Sequence, residues 1–191
     1  MTHAISLGHR LDRSEIYGPG LRAVFWTQGC NLACKGCWNT QYWSKRGGDL
    51  IQVSTLLDEL DSIDGIEGIT LLGGEPLQQS EASLQLIQGS KEMGLTVFLY
   101  TGYDPSEFDA TMQQCFDLSD IAVTGRYVQE HRDTTLRWRG SRNQQVHFMS
   151  DAYNDSMFQE QTEVECHILP NGEVRMVGYA ETELTQLLEG I

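Results

Sequence analysis

At 191 residues the chain is long enough for one domain with a sizeable core. Apolar residues make up 40% and charged residues 21%, as is usual for a soluble globular protein, and the formal net charge of −14 argues against general nucleic-acid binding. Five cysteines are an odd number, and three of them fall within eight residues, which suits a metal site in a reducing compartment better than a disulfide framework.

The first residues, MTHAISLGHRLDRSE, contain no apolar run, and no stretch approaches the roughly 18 apolar residues of a membrane span. The chain therefore reads as cytoplasmic, with no membrane partner. Charge is unevenly spread. Residues 1–50 hold six Lys or Arg against three acids, and residues 121–149 hold five against two. Residues 51–120 hold one against thirteen, and residues 150–191 one against nine. The acidic stretches read as solvated helix faces.

In chain order, residues 22–28 (RAVFWTQ) form the first predicted strand and run into the Cys-rich loop. Ser54 is expected to cap a helix, VSTLLDEL. Residues 66–72 are rich in strand formers and end in Gly73-Gly74. Residues 80–93 carry Leu84, Ile87 and Met93 at helical spacing, and residues 95–101 form another strand. Pro105 starts a helix reaching Leu118. Residues 121–124 form a short strand before Gly125, and residues 146–149 suggest one more. Two alternating runs flank Pro170-Asn171-Gly172 in residues 164–178, as in a hairpin. A short helix over residues 181–189 closes the chain.

The alternation of strand and helix predicts an α/β fold with a parallel sheet and right-handed crossovers. The chain is too short for eight units, so the expected form is an open, partial (β/α) barrel of about five to six units with a C-terminal β-hairpin extension. One domain spans residues 1–191, with its core at 16–150 and the extension at 151–191. Ligands bind at the carboxyl ends of parallel strands. One site is therefore expected to unite the loop of Cys30–Cys37 with residues 73–76, 101–103 and 124–126.

The segment Gly29-Cys30-Asn31-Leu32-Ala33-Cys34-Lys35-Gly36-Cys37-Trp38-Asn39 has the spacing C-x3-C-x2-C. Three thiolates in so short a loop can bind three irons of one [4Fe–4S] cluster and leave the fourth open to a chelating small molecule. Gly29 and Gly36 would let backbone approach the sulfides. A zinc site, buried structural cysteines or a nucleophilic Cys are the competing readings. Zinc prefers four Cys or His ligands, and the loop holds no His. Cys115 and Cys166 read as free thiols. His3, His9, His131, His147 and His167 form no metal pattern.

Together, the Cys motif and Gly73-Gly74-Glu75-Pro76 at the end of the next strand resemble the radical S-adenosylmethionine (SAM) superfamily. Further motifs narrow the resemblance. They are Gly18-Pro19-Gly20-Leu21-Arg22, Cys37-Trp38-Asn39, Trp43, Thr101-Gly102-Tyr103 and Trp138-Arg139-Gly140-Ser141-Arg142-Asn143-Gln144. From about residue 16 to 150 the chain is similar to glycyl-radical-enzyme activases of the kind that serve anaerobic ribonucleotide reductase.

The resemblance implies a [4Fe–4S] cluster on Cys30, Cys34 and Cys37, and SAM as cofactor. It implies that Gly73, Gly74, Glu75 and Pro76 hold the methionine moiety, that Tyr100 and Thr101 contact SAM, and that Arg126 pairs with its carboxylate. Trp38 and Asn39 belong to the same cofactor set, although Trp38 and Trp43 also read as core packing. Arg139, Gly140, Ser141, Asn143 and Gln144 would receive the glycine-bearing loop of a large partner, an anaerobic ribonucleotide reductase. A reductant such as flavodoxin or ferredoxin would supply electrons. Two features depart from the family: Thr124 stands where an Asp is usual, and the last 40 or so residues extend beyond compact members. A stand-alone radical SAM enzyme for a peptide or metabolite, and a non-catalytic redox-sensing module, are the other functions considered.

Overall fold

The computed structural model describes residues 3–157, 163–168, 172 and 174–178. The expected helix over 181–189 and the Pro170-Asn171 part of the hairpin turn lie outside the described residues. No helix among them is long and apolar enough to cross a membrane.

The main sheet is built from β1 (Ala4–Ser14), β2 (Arg22–Thr27), β3 (Asp49–Gln52), β4 (Gly68–Gly73), β5 (Thr96–Tyr100), β6 (Ile121–Thr124) and β7 (Gln145–Phe148). Their spatial order is β3-β1-β2-β4-β5-β6-β7. The centre, β2-β4-β5-β6, is parallel, while β1, β3 and β7 run antiparallel at the edges. Helices α1 (Val53–Asp61), α2 (Ser80–Glu92) and α3 (Ala110–Leu118) connect the parallel strands. The described residues thus hold an open α/β sheet with three strand–helix–strand crossovers, fewer than the five to six units expected. The flanking antiparallel strands complete the sheet instead. β8 (Val164–Ile168) and β9 (Val174–Gly178) form the expected hairpin as a separate two-stranded sheet.

Several boundaries differ from the sequence reading. β1 was not anticipated because beyond Leu7 only Ser14 is buried, so its alternation is masked by polar residues. β3 has four residues and none is fully buried. The first helix begins at Val53, with Gln52 at the cap position and no side-chain capping bond, so Ser54 lies within its first turn. Pro105 opens only a single 3-10 turn, Pro105–Glu107, capped by Asp104. Asp109 then caps α3 by accepting from the N–H groups of Thr111 and Met112 at 2.9 and 2.8 Å.

Period-2 alternation divides the sheet into two faces. Phe25, Ile69, Leu71, Val97 and Leu99 meet Leu56, Leu86, Ile87 and Phe116 of the helices in the main core. The alternate residues Val24, Trp26 and Leu72 lie on the other face, with Tyr17, Tyr42 and Tyr100. All three helices share one face, which leaves the second free to line a site.

At the amino ends of the parallel strands, Arg22 is fully buried. Its guanidinium donates to the carbonyls of Pro19, Ile69 and Thr96 and to the hydroxyls of Thr70 and Thr96, at 2.7–3.0 Å. Among the described residues no carboxylate pairs with it. Burial pulls its pKa below the ordinary value, but a guanidinium remains charged. It is satisfied by its five donors meeting acceptors on three segments. Arg22→Leu should cost about 3 kcal/mol, since each buried carbonyl left without a donor costs about 1–3 kcal/mol. Arg22→Lys, with fewer donors, should recover only part of that. Urea midpoints read this directly, and equal stability of the Leu variant and the parent would contradict it.

Candidate active site

The Cys-rich loop leaves the carboxyl end of β2. Gly29 N–H donates to Tyr42 O at 2.8 Å and Cys30 N–H to Trp43 O at 2.9 Å, which pins the loop to the segment after it. Cys37 N–H donates to Cys34 O at 3.1 Å and closes a turn. Gly29 and Gly36 have φ of +104° and +76°, a region that favours glycine. Gly36 is also confined, because a Cβ there would stand 2.9 Å from the Gln129 side chain.

The three thiols are half-buried. Burial raises the pKa of Cys30 and Cys34, while backbone N–H groups of Leu32 and Ala33 at Cys30, and of Tyr127 at Cys34, favour the thiolates. Asn39 N–H reaches Cys37 Sγ at 3.4 Å. Such donors to sulfur are levers on an iron–sulfur cluster's potential. Among the described residues no three His, Cys, Asp or Glu side chains gather as a single metal ion requires. The donor set is soft thiolate on a loop that opens into a large cavity, which fits a cluster.

The Gly73–Pro76 turn leaves the adjacent strand, β4. Gly74 N–H donates to Thr27 O at 2.8 Å and Glu75 N–H to Gly29 O at 2.9 Å, so the turn is fastened to the Cys loop. A Cβ on Gly74 would lie 2.4 Å from Gly29 O, and no side chain fits there. Glu75 is 2% exposed. Its Oε1 accepts from Thr101 Oγ1 at 2.8 Å and Leu77 N–H at 3.0 Å, and its Oε2 from Gly102 N–H at 2.8 Å. Burial pushes the Glu75 carboxyl up to about 7 against these three bonds. Pro76 is buried at the start of a 3-10 turn and is not among the cavity residues.

Arg126 follows β6, as expected, but it is committed elsewhere. Its guanidinium forks onto Glu107, with Nη2 to Oε1 at 2.8 Å, and donates to Gly102 O at 3.1 Å. It also lies 5.4 Å from the Tyr103 ring centre. Arg126 therefore stands at the rim, and reaching a ligand carboxylate would require Glu107 to release it. Thr124 is buried, with Oγ1 2.9 Å from His147 Nε2. A hydroxyl paired with a neighbouring ring occupies the place where relatives were expected to carry an acid.

A cavity of about 1170 Å³ opens over the helix-free face. Cys30, Cys34, Cys37, Trp38, Asn39, Gly73, Gly74, Glu75, Tyr100, Thr101, Gly140 and Gln144 all line it. Arg139, Ser141 and Asn143 do not. Ser141 is buried, and its Oγ accepts from Val128 N–H at 3.2 Å. Asn143 donates to Arg126 O at 2.8 Å, and Gln144 receives Gly140 N–H at 2.9 Å and donates to Gly125 O at 3.1 Å. Ser141, Asn143 and Gln144 thus hold the loop together, while Gly140 and Gln144 also face the cavity. Trp38 is 40% exposed beneath Arg132, whose guanidinium lies 4.4 Å from the ring, so it is not core. Trp43 is half-buried in the cavity wall. Gly102 falls within the expected 101–103 segment, whereas Tyr127, Glu107 and Arg132 carried no signal as supports.

A family model described as a 4Fe-4S single cluster domain matches residues 16–147. Fold and site thus define a single-cluster iron–sulfur protein. The anaerobic ribonucleoside-triphosphate reductase-activating protein of Vibrio cholerae is 34% identical over 140 residues, covering 69% of this chain and 90% of that protein. Its counterpart in Escherichia coli K12 is 33% identical over 142 residues, covering 70% and 92%. That of Enterobacteria phage T4 is 32% identical over 138 residues, covering 69% and 86%. The chain belongs to the family of anaerobic ribonucleoside-triphosphate reductase-activating proteins.

The Glu75 environment has a pH consequence. Its folded pKa, about 7, lies above the roughly 4.3 of an unfolded Glu. The folded state therefore holds the proton more firmly, and the resulting stability is full below about pH 4.3 and is lost as pH rises through about 7. In the cluster-free protein, urea midpoints should fall between about pH 5 and 8 by more in the parent than in Glu75→Gln. Parallel pH profiles for the two proteins would refute this assignment.

Proposed function

We propose that this chain is a radical SAM enzyme that activates an anaerobic ribonucleotide reductase by removing a hydrogen atom from a glycine of that partner. The supporting observation is that the three thiols of C-x3-C-x2-C and the Gly73–Glu75 turn open into one cavity from adjacent parallel strands. The named relatives point to the partner.

In this reading Cys30, Cys34 and Cys37 hold three irons of a [4Fe–4S] cluster, and the backbone of Gly73 and Gly74 with the Glu75 carboxylate receives the SAM ammonium. When bound, the cluster would supply one electron and SAM, cleaved reductively to 5′-deoxyadenosine and methionine, would supply the hydrogen-abstracting chemistry. The chain's residues position and shield that chemistry. An ammonium beside Glu75 holds its carboxyl ionised, and the charge-assisted bond orients the ligand. Thr101 and Gly102 keep the carboxylate aimed while both are engaged by it. Tyr100 and Trp26, with Leu72, give the cavity floor an apolar surface that excludes water. Trp38 and Asn39 flank the cluster ligands, and Arg126 is available to the SAM carboxylate once released by Glu107. Residues 1–191 act as one catalytic domain. The reductant, a flavodoxin or ferredoxin, and the reductase partner both belong to a reducing cytoplasm.

The test is anaerobic reconstitution, then SAM and dithionite, with 5′-deoxyadenosine as readout. The parent should form it, and Cys34→Ala should fall to background. Addition of the reductase from the same organism should then give a glycyl radical by electron paramagnetic resonance. A fully loaded [4Fe–4S] protein that forms no 5′-deoxyadenosine, with or without the reductase, would end this reading.

A further inference from the structure

The hairpin of β8 and β9 lies beyond residue 147, where the family model ends. It shares no ladder with the seven-stranded sheet among the described residues. A lone two-stranded hairpin is marginal in water, so its place depends on what it docks against. Three polar contacts fix it. Ser14 Oγ donates to Glu165 Oε2 at 2.5 Å, Arg137 donates through Nε and Nη2 to Glu163 at 3.1 and 3.2 Å, and Gly178 N–H donates to Tyr17 Oη at 3.2 Å. Gly178 has φ of +99°, and a Cβ there would stand 2.4 Å from Glu163 O and 2.8 Å from Ile16 Cδ1. The hairpin end is thus seated tightly on the segment between β1 and β2.

This seating has a consequence for the site. Glu163, His167, Met176, Val177 and Gly178 line the same cavity as Cys30, Cys34 and Cys37. Residues 136–138 line it too, and Arg137 joins them to Glu163. At about 1170 Å³ the cavity exceeds the roughly 300–1,000 Å³ typical of a small-ligand pocket. Space remains for a polymer segment beside a nucleoside-sized cofactor. The hairpin wall offers apolar contact at Met176 and Val177 and polar edges at Glu163 and His167. That mixture suits a peptide main chain better than a charged metabolite.

We infer that the hairpin is a partner-recognition wall: with residues 136–138 it bounds a slot that admits an extended, small-side-chain stretch of the reductase and brings its glycine to the site. The inference rests on the proposed function and adds the element that selects the partner.

Two measurements on the full-length, cluster-loaded protein test it. Hydrogen exchange with and without the reductase from the same organism should show protection at residues 164–168 and 174–178. Unchanged exchange there would overturn the inference. The double variant Ser14→Ala, Glu165→Ala removes one anchor, together with the carboxylate that stands 3.3 Å from His167 Nε2 in the hairpin wall, and alters no residue placed at the thiols or the Gly73–Glu75 turn. It should cleave SAM alone at the parental rate, which also reports that it folds. Its half-saturating reductase concentration for glycyl-radical formation should rise about tenfold, the scale of one lost anchoring contact. Parental half-saturation would overturn the inference. A parent that cleaves no SAM would instead strike the functional reading, and the exchange experiment, which needs no turnover, would still decide the role of the hairpin.

Discussion

Glu75 carries a carboxyl group into the interior with three donors pointing at it and no cation in direct contact among the described residues. Burial opposes its charge and the donors favour it; burial wins and pushes the pKa up to about 7, so charged and neutral forms are evenly matched near neutral pH. The bonds join the end of β4 to the end of β5, while the Glu75 N–H joins both to the Cys loop through Gly29 O. Three loops that sequence separates by tens of residues are thereby held in register. A poised carboxyl is also a receptive one. A positive ligand group arriving nearby would shift the balance to the charged form without moving a backbone atom, which is preorganisation in the usual electrostatic sense. Of its four acceptor sites, three are occupied by the protein, so the group both holds the architecture and keeps capacity for a ligand.

The opposite end of the same strands is held by the opposite charge. Arg22 draws together β2, the start of β4 and the start of β5, and the glycine at each end of β4 reflects this arrangement. A Cβ on Gly68 would lie 2.3 Å from Thr96 O and 2.6 Å from Arg22 Nη2. A Cβ on Gly73 would lie 2.6 Å from Thr27 N. One glycine makes room for a guanidinium and the other for the close approach of the β2 backbone at Trp26 and Thr27. Asp120 adds a third tie. Burial alone would raise its pKa, but Lys91 and donors from Val97 and Ser150 outweigh that and hold it below the ordinary range. The parallel core is therefore pinned by polar groups at its ends and packed by apolar ones between.

What was legible in the sequence follows from this division. Strands β2, β4, β5 and β6 were readable because they are buried on both faces and written in continuous apolar residues. β3 is the edge strand with β1 beside it; neither is written in continuous apolar residues, and few of their side chains are fully buried. The cysteines and the Gly73–Glu75 turn were readable because their chemistry needs fixed residue types at fixed spacing. The partners of Arg126, Ser141 and Asn143, in contrast, were not legible. A side chain's partner is a tertiary fact: nothing in local sequence says that Glu107 stands opposite Arg126, or that Asn143 turns back to its carbonyl. The same holds for Arg22, which sequence marks only as part of a motif and which the fold turns into a buried clamp.

The uneven charge along the chain acquires meaning in three dimensions. The two basic stretches, far apart in sequence, meet around the Cys loop. Lys35 stands 3.9 Å from Glu130, Arg132 covers Trp38, and the Lys45 side chain is the nearest neighbour of Gly29. A chain with a net charge of −14 thus brings several of its few basic side chains to the cysteine loop. Burial raises the pKa of Cys30 and Cys34, and at Cys34 the Arg126 charge opposes that rise. The acidic helices face away on the other side of the sheet, where their charge is solvated and its influence screened over about 8–10 Å. The seven-stranded sheet thus stands between the acidic helices on one face and the cysteine loop with its neighbouring basic side chains on the other.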